Sequence, residues 1–209
     1  MLEAAERLKV SQARVRQLYR SGRLQGRKVS DRILLDEVGL NRPAARSRPM
    51  SHRMAWGLIA VLSHQEPVGL LARERLRLGK AGERLKTDAD PASWLRSWLP
   101  ARAKRLSFSV DLEDIPSLRA DPRILLSGIS DPRAGLSTGG EIEGYLHPAD
   151  LPGLVEDYLM SGVGRNNAFL HLHPESPSPV PLGLVLADLA DHNGPREDAK
   201  VNSLLQEHQ

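Results

Sequence analysis

Between Ser11 and Arg20 the chain concentrates Gln12, Arg14, Arg16, Gln17 and Arg20. Arg carries a planar fork of donors that fits guanine O6 and N7, and Gln sets a donor beside an acceptor as adenine does. At helical spacing Val15, Leu18 and Tyr19 fall on one side, which leaves Gln12, Ala13, Arg14, Arg16, Gln17 and Arg20 facing outward. The expectation is a helix, capped by Ser11, that reads the major groove of double-stranded DNA through Gln12, Arg14, Arg16 and Gln17. Arg20, Arg27, Lys28 and Arg32 would then hold phosphates.

Two other groupings bear on chemistry. Ser127-Gly128 followed by Glu141-Ile142-Glu143 has the outline of a nucleotidyltransferase site, in which a Gly-Ser turn holds phosphates and alternating acids hold two metal ions. The outline is defective, since Ile129 follows Gly128 and the acids are Glu rather than Asp, so no catalysis is expected. His171 and His173 alternate along a strand, with His147 on another. Three imidazoles could take zinc, but no carboxylate spacing supports them, and beside Pro174 they read as surface histidines. Ser, His and Asp form no nucleophile motif, and no cofactor or metal is expected.

The elements that must position the basic helix are short. Leu2–Leu8 reads as a helix burying Leu2, Ala5 and Leu8, Lys9-Val10 as a tight turn, and Ser21-Gly22 as a left-handed stop. Arg27–Val29 and Arg32–Leu35 would pair around Ser30-Asp31 as a wing, and Asp36 would cap a last short helix.

Charge is polarised along the chain. Residues 1–53 hold 13 Lys or Arg against 5 Asp or Glu, whereas residues 117–209 hold 6 against 13. A basic amino-terminal segment suits phosphate backbones, which the acidic half would repel. Cysteine is absent, which removes disulfides and thiolate chemistry and fits a reducing cytoplasm. Aromatics make up 4% of the chain, too few for stacking platforms that read single strands. The apolar run Ala55–Leu62 is too short to cross a bilayer, and Glu3 and Glu6 stand where a signal peptide would be basic, so no membrane association is expected.

Breaks fall at 41–49, 87–91 and 174–181, all rich in Pro, Ser or Arg. Between the first two the pattern is helical: one helix from Ser51 with Met54, Leu58, Ile59 and Leu62 on a face, a second over Leu70–Leu78, and a third from Pro91 whose Trp94 and Trp98 read as core. From Leu106 the period changes to alternation. Asp114-Ile115-Pro116-Ser117-Leu118 recurs as Asp150-Leu151-Pro152-Gly153-Leu154, which suggests two strand–helix–strand units in one mixed sheet. The first covers Leu106–Leu112, Asp114–Ala120 and Arg123–Leu126; the second covers Ile142–His147, Asp150–Met160 and Ala168–His173. Leu182–Leu189 and Pro195–Gln206 would add closing helices. The fold class expected is α+β: a winged helix-turn-helix over 1–41, a helical linker or dimerisation region over 50–100, and a mixed α/β domain over 101–209.

The amino-terminal segments Glu3-Ala4-Ala5, Val10-Ser11, Arg14-Val15-Arg16-Gln17-Leu18 and Gly22-Arg23-Leu24 resemble the excisionase and MerR-type winged helix-turn-helix. The long dimerisation helix of MerR activators is missing. Ser51–Trp56, Asp121–Gly128 and Glu143–Leu146 with Asp150-Leu151-Pro152 resemble the AbiEi-type antitoxins of type IV toxin–antitoxin systems. That resemblance implies a transcriptional regulator of its own operon, with a cognate nucleotidyltransferase-like toxin as a possible partner. One such module makes few base contacts, so an operator of inverted or direct repeats and a homodimer or paired copies are expected.

Overall fold

The computed structural model describes residues 2–8, 10–20, 24, 26–29, 32–35, 47–175 and 177–208. The chain divides into two compact units, Met1–Ala44 and Ala45–Gln209.

In the first unit, helix α1 (Leu2–Arg7) is followed by α2 (Gln12–Arg20) and by strands β1 (Gly26–Val29) and β2 (Arg32–Leu35), paired antiparallel with Val29 opposite Arg32. Its core is Ala4, Ala5, Val15 and Leu24, with Leu8, Leu18 and Leu35 packed against it. Small residues at Ala4 and Ala5 let the two helices approach closely. Leu2, expected inside, is 63% exposed, because at the first position of so short a helix nothing lies over it. Lys9, the Ser21-Gly22 stop, Ser30-Asp31, Asp36 with its helix, and most of the 41–49 break lie outside the described residues.

The second unit opens with three helices, α3 (His52–Leu62), α4 (Ala72–Thr87) and α5 (Pro91–Trp98). There follow β3 (Lys104–Phe108), α6 (Ile115–Arg119), β4 (Ile124–Leu126), β5 (Ile142–Leu146), α7 (Leu151–Asp157), β6 (Ala168–Leu172), α8 (Leu182–His192) and α9 (Pro195–Glu207). The strands form one mixed sheet in the order β3, β6, β5, β4, in which β5 and β6 run parallel and both edge strands are antiparallel to their neighbours. The fold is therefore α+β, with both expected strand–helix–strand units sharing one sheet.

Alternation along the strands separates two cores. Ile124, Ile142, Leu146, Ala168 and Leu170 turn to one side, where Ile115 and Leu118 of α6 and Leu154 of α7 cover them. Leu125, Tyr145 and Phe169 turn to the other, where α8 lies across the sheet beneath α3, α5 and α9. A helix covered on every side must be apolar all round, and every residue of α8 from Leu182 to Ala190 is buried. Close packing against α3 requires Gly183, since a Cβ there would lie 2.5 Å from the Ile59 carbonyl oxygen. Trp94 and Trp98 are core, their rings 4.8 Å apart.

Three local differences have physical causes. Strand β3 stops at Phe108, and Leu112, which alternation placed inside, is 65% exposed, because the chain turns at Asp111, whose carboxylate accepts the Glu113 N–H. Helix α4 runs past Leu78 to Thr87 because Ala81, Gly82 and Leu85 continue its buried face. Asp114 and Asp150 occupy the N-cap positions of α6 and α7 without a side-chain capping bond.

Candidate nucleic-acid interface

In the first unit, Val15 is fully buried beside Ala4 and Ala5 and Leu18 packs against the same core, which together fix the rotation of α2. Gln12, Ala13, Arg14, Arg16 and Gln17 are all exposed. The Ser11 hydroxyl accepts the Arg14 N–H at 3.3 Å, the geometry of an N-cap. Arg14 Nη1 donates to Gln17 Oε1 at 2.7 Å, so the two side chains with the strongest base-reading chemistry lie together one turn apart. No acidic residue stands in the first turn of α2. Arg20 ends α2, Arg27 and Lys28 lie on β1, and Arg32 begins β2; their side chains lie outside the described residues.

The second unit holds a buried ionic network. Glu143, on β5, is fully buried, with Oε1 accepting from His171 Nε2 at 2.9 Å and Oε2 accepting from His192 Nε2 at 2.9 Å and from the Ile129 N–H at 3.2 Å. Asp188 of α8, also fully buried, accepts at Oδ1 from Arg102 Nε (2.9 Å), Arg102 Nη2 (2.6 Å) and the Tyr145 hydroxyl (3.2 Å), and at Oδ2 from the Ser127 hydroxyl. Arg102 Nη2 also reaches Asp191 at 2.7 Å. Arg105, packed over the Phe169 ring, lies 3.7 Å from Glu143.

Burial opposes ionisation of Glu143, but the charge of His192 and the hydrogen bonds of both imidazoles outweigh it and hold the carboxyl well below its ordinary range. Burial likewise lowers His192, and Glu143 more than compensates, so His192 is raised. Arg102 is desolvated, yet Asp191 and Asp188 keep it firmly protonated.

Donor atoms of Glu143, His171 and Asp188 lie within 4.8 Å of one another, the spacing of a metal centre. The hydrogen bonds argue otherwise. Each carboxylate oxygen already accepts from a neighbour, and the Arg102 guanidinium contacts the very Asp188 oxygen a cation would need. The arrangement is a network joining sheet to helix in which the carboxylate oxygens are satisfied, while His171 Nδ1 and Arg105 Nε are buried without a hydrogen-bond partner among the described residues.

One grouping read from the sequence comes together, and another is revised. Ser127, Gly128 and Glu143 meet: a Cβ at Gly128 would fall 1.8 Å from Glu143 Oε2, so the turn is a cradle for the carboxylate. Glu141 lies before β5 and is half-buried. His171 and His173 are buried, not surface residues, at 1% and 6% exposure, whereas His147 is exposed with Nδ1 accepting the Ala149 N–H. Pro174 follows β6 as expected, but the strand is interior to the sheet, where His171 lies against Tyr145 and Glu143, and His173, just past the strand, packs against the rings of His52 and Trp56. Asp188, His192, Arg102 and Arg105 were missed; the signal for the first was a carboxylate in the middle of the apolar run Leu182–Ala190.

No family model matches the chain, and comparison with curated proteins and with solved structures likewise finds no match. Among the described residues no helix is long and apolar enough to cross a membrane.

Proposed function

We propose that the chain is a sequence-specific, double-stranded-DNA-binding transcriptional regulator whose first unit is a winged helix-turn-helix. The observation that carries this reading is the exposure of Gln12, Arg14, Arg16 and Gln17 on a helix that Val15 anchors. Ser11 belongs to the DNA-binding set as the cap of that helix, and Arg20, Arg27, Lys28 and Arg32 are assigned to the backbone. The module acts in the cytoplasm, without cofactor or catalysis, on repeated half-sites.

The resemblance of Ser51–Trp56, Asp121–Gly128 and Glu143–Leu146 to AbiEi-type antitoxins makes the regulated operon its own, with a nucleotidyltransferase-like toxin beside it. The engagement of Glu143 by two imidazoles supports a regulatory over a nucleotide-transferring role for the second unit.

A fragment of the protein's own promoter, titrated with the full chain at moderate salt, tests the reading. Retarded mobility that excess scrambled duplex does not compete away supports it. Equal affinity for both duplexes reduces the protein to an architectural binder, and no binding overturns it. Nucleotide labelling of RNA or protein that disappears on Glu141→Gln and Glu143→Gln substitution would establish an enzyme instead.

A further inference from the structure

Helix α4 carries a hollow stripe. Gly79, Gly82, Glu83 and Lys86 follow one another at intervals of three, one and three residues, which sets all four on one face of the helix. Glycine inside a helix is unfavourable, yet no packing demands it at Gly79, where a Cβ would meet nothing within 4 Å; at Gly82 a Cβ would press on Val61 at 3.2 Å. Two missing side chains on one face leave room for a cavity of about 110 Å³ between α3, α4, α8 and α9.

The floor of this cavity is apolar. Val61 and Leu62 come from α3, Leu182 from α8, and Leu204 and Leu205 from α9. The polar residues that line it, His64, Glu83, Lys86 and His208, are exposed or half-buried and so form its mouth. His64, in the left-handed position that ends α3 (φ 55°), donates from Nε2 to the His208 carbonyl at 2.8 Å, which ties the ends of α3 and α9 together there. Lys86 Nζ stands 3.4 Å from Glu83 Oε1, longer than the roughly 2.7–2.9 Å of a close charge-assisted hydrogen bond. Opposite charges therefore share the mouth without being drawn fully onto each other.

We propose that this cavity binds an aliphatic α-amino acid of about leucine's size, with the side chain on the apolar floor, the carboxylate at Lys86 and the ammonium at Glu83. Size and charge both argue for it. A cavity of about 150 Å³ holds benzene, so this smaller one takes an aliphatic group of about four carbons. A fatty acid would set its carboxylate beside Glu83 and an alkylamine would set its cation beside Lys86, whereas a zwitterion complements both. The site belongs to the second unit alone and does not rest on the DNA reading.

Calorimetric titration of the full chain with L-leucine, without DNA, tests it. Saturable binding at one site is expected. Isopentylamine, which lacks the carboxylate, and 4-methylpentanoate, which lacks the ammonium, should each bind about tenfold or more weakly, and L-phenylalanine, too large for the floor, should bind weakly too. Glu83→Gln should erase the preference for leucine over 4-methylpentanoate, and Lys86→Gln the preference over isopentylamine; a folding defect produces neither selective loss. Gly79→Leu should fill the cavity and abolish binding while the thermal midpoint holds. The proposal is overturned by an absence of saturable binding at millimolar leucine, by 4-methylpentanoate or isopentylamine binding the native protein as tightly as leucine, or by leucine binding that survives Gly79→Leu.

Discussion

Arg14 Nη1 and Gln17 Oε1 are hydrogen-bond partners across one turn of α2. In that pair the Gln17 carbonyl is occupied and its amide is left to donate, while one arm of the Arg14 fork is held. Each residue therefore sets the orientation of the other. Arg14→Ala and Gln17→Ala should each cost about 1–3 kcal/mol against the preferred operator. The double variant should lose less than the sum, because each single change already releases the other side chain. Affinities from a double-mutant cycle on specific and scrambled duplexes measure this, and strict additivity would show that the pair does not act as a unit on DNA.

Residues proposed to hold the DNA backbone should carry a different signature. Replacing Arg27 and Lys28 by Ala should weaken all duplexes alike and flatten the dependence of log affinity on log salt by roughly 0.9 for each phosphate no longer neutralised. Anisotropy titrations over a series of salt concentrations read the slope. A change in sequence preference with an unchanged slope would place these residues on bases instead.

The buried network makes a prediction about pH. His192 is raised above its ordinary value of 6.5, so its contribution to stability is complete below that value and is lost as pH climbs through the folded one. A rise of one pH unit is worth about 1.4 kcal/mol. Glu143 behaves in the opposite sense: its depressed carboxyl contributes above 4.5 and is lost only as pH falls through its folded value. Urea midpoints taken from about pH 6 to about pH 9 should decline in the native protein. They should stay level in His192→Gln, and Glu143→Ala, which strands two imidazoles and a backbone amide, should cost about 3–5 kcal/mol throughout.

Gly183 gives a purely steric test. An added methyl would meet the Ile59 backbone, which cannot rotate away. Gly183→Ala should therefore cost about 1–3 kcal/mol by forcing α8 from α3, read as a lower thermal midpoint. Gly79→Ala, where a Cβ meets nothing within 4 Å, should hold or raise it.

What could be read in advance followed from local chemistry. Both strand–helix–strand units were visible because Pro116 and Pro152 mark first helical turns after runs of alternating residues. Helix α4 was expected only to Leu78, whereas it runs on through Gly82, which packs against Val61. The ionic network was hidden for a different reason. Its members come from five separated segments, around residues 102, 127, 143, 171 and 188, and nothing local distinguishes a histidine that will face a buried carboxylate from one that will face water.

Glu143 receives its hydrogen bonds from β6, from α8 and from the turn after Ser127 at once. Removing any one of these segments would strand a negative charge in an apolar interior, so none has a cheap way to detach alone. Amides in β5, β6 and α8 should accordingly share a single protection free energy, set by collapse of the entire second unit rather than by fraying at its edges.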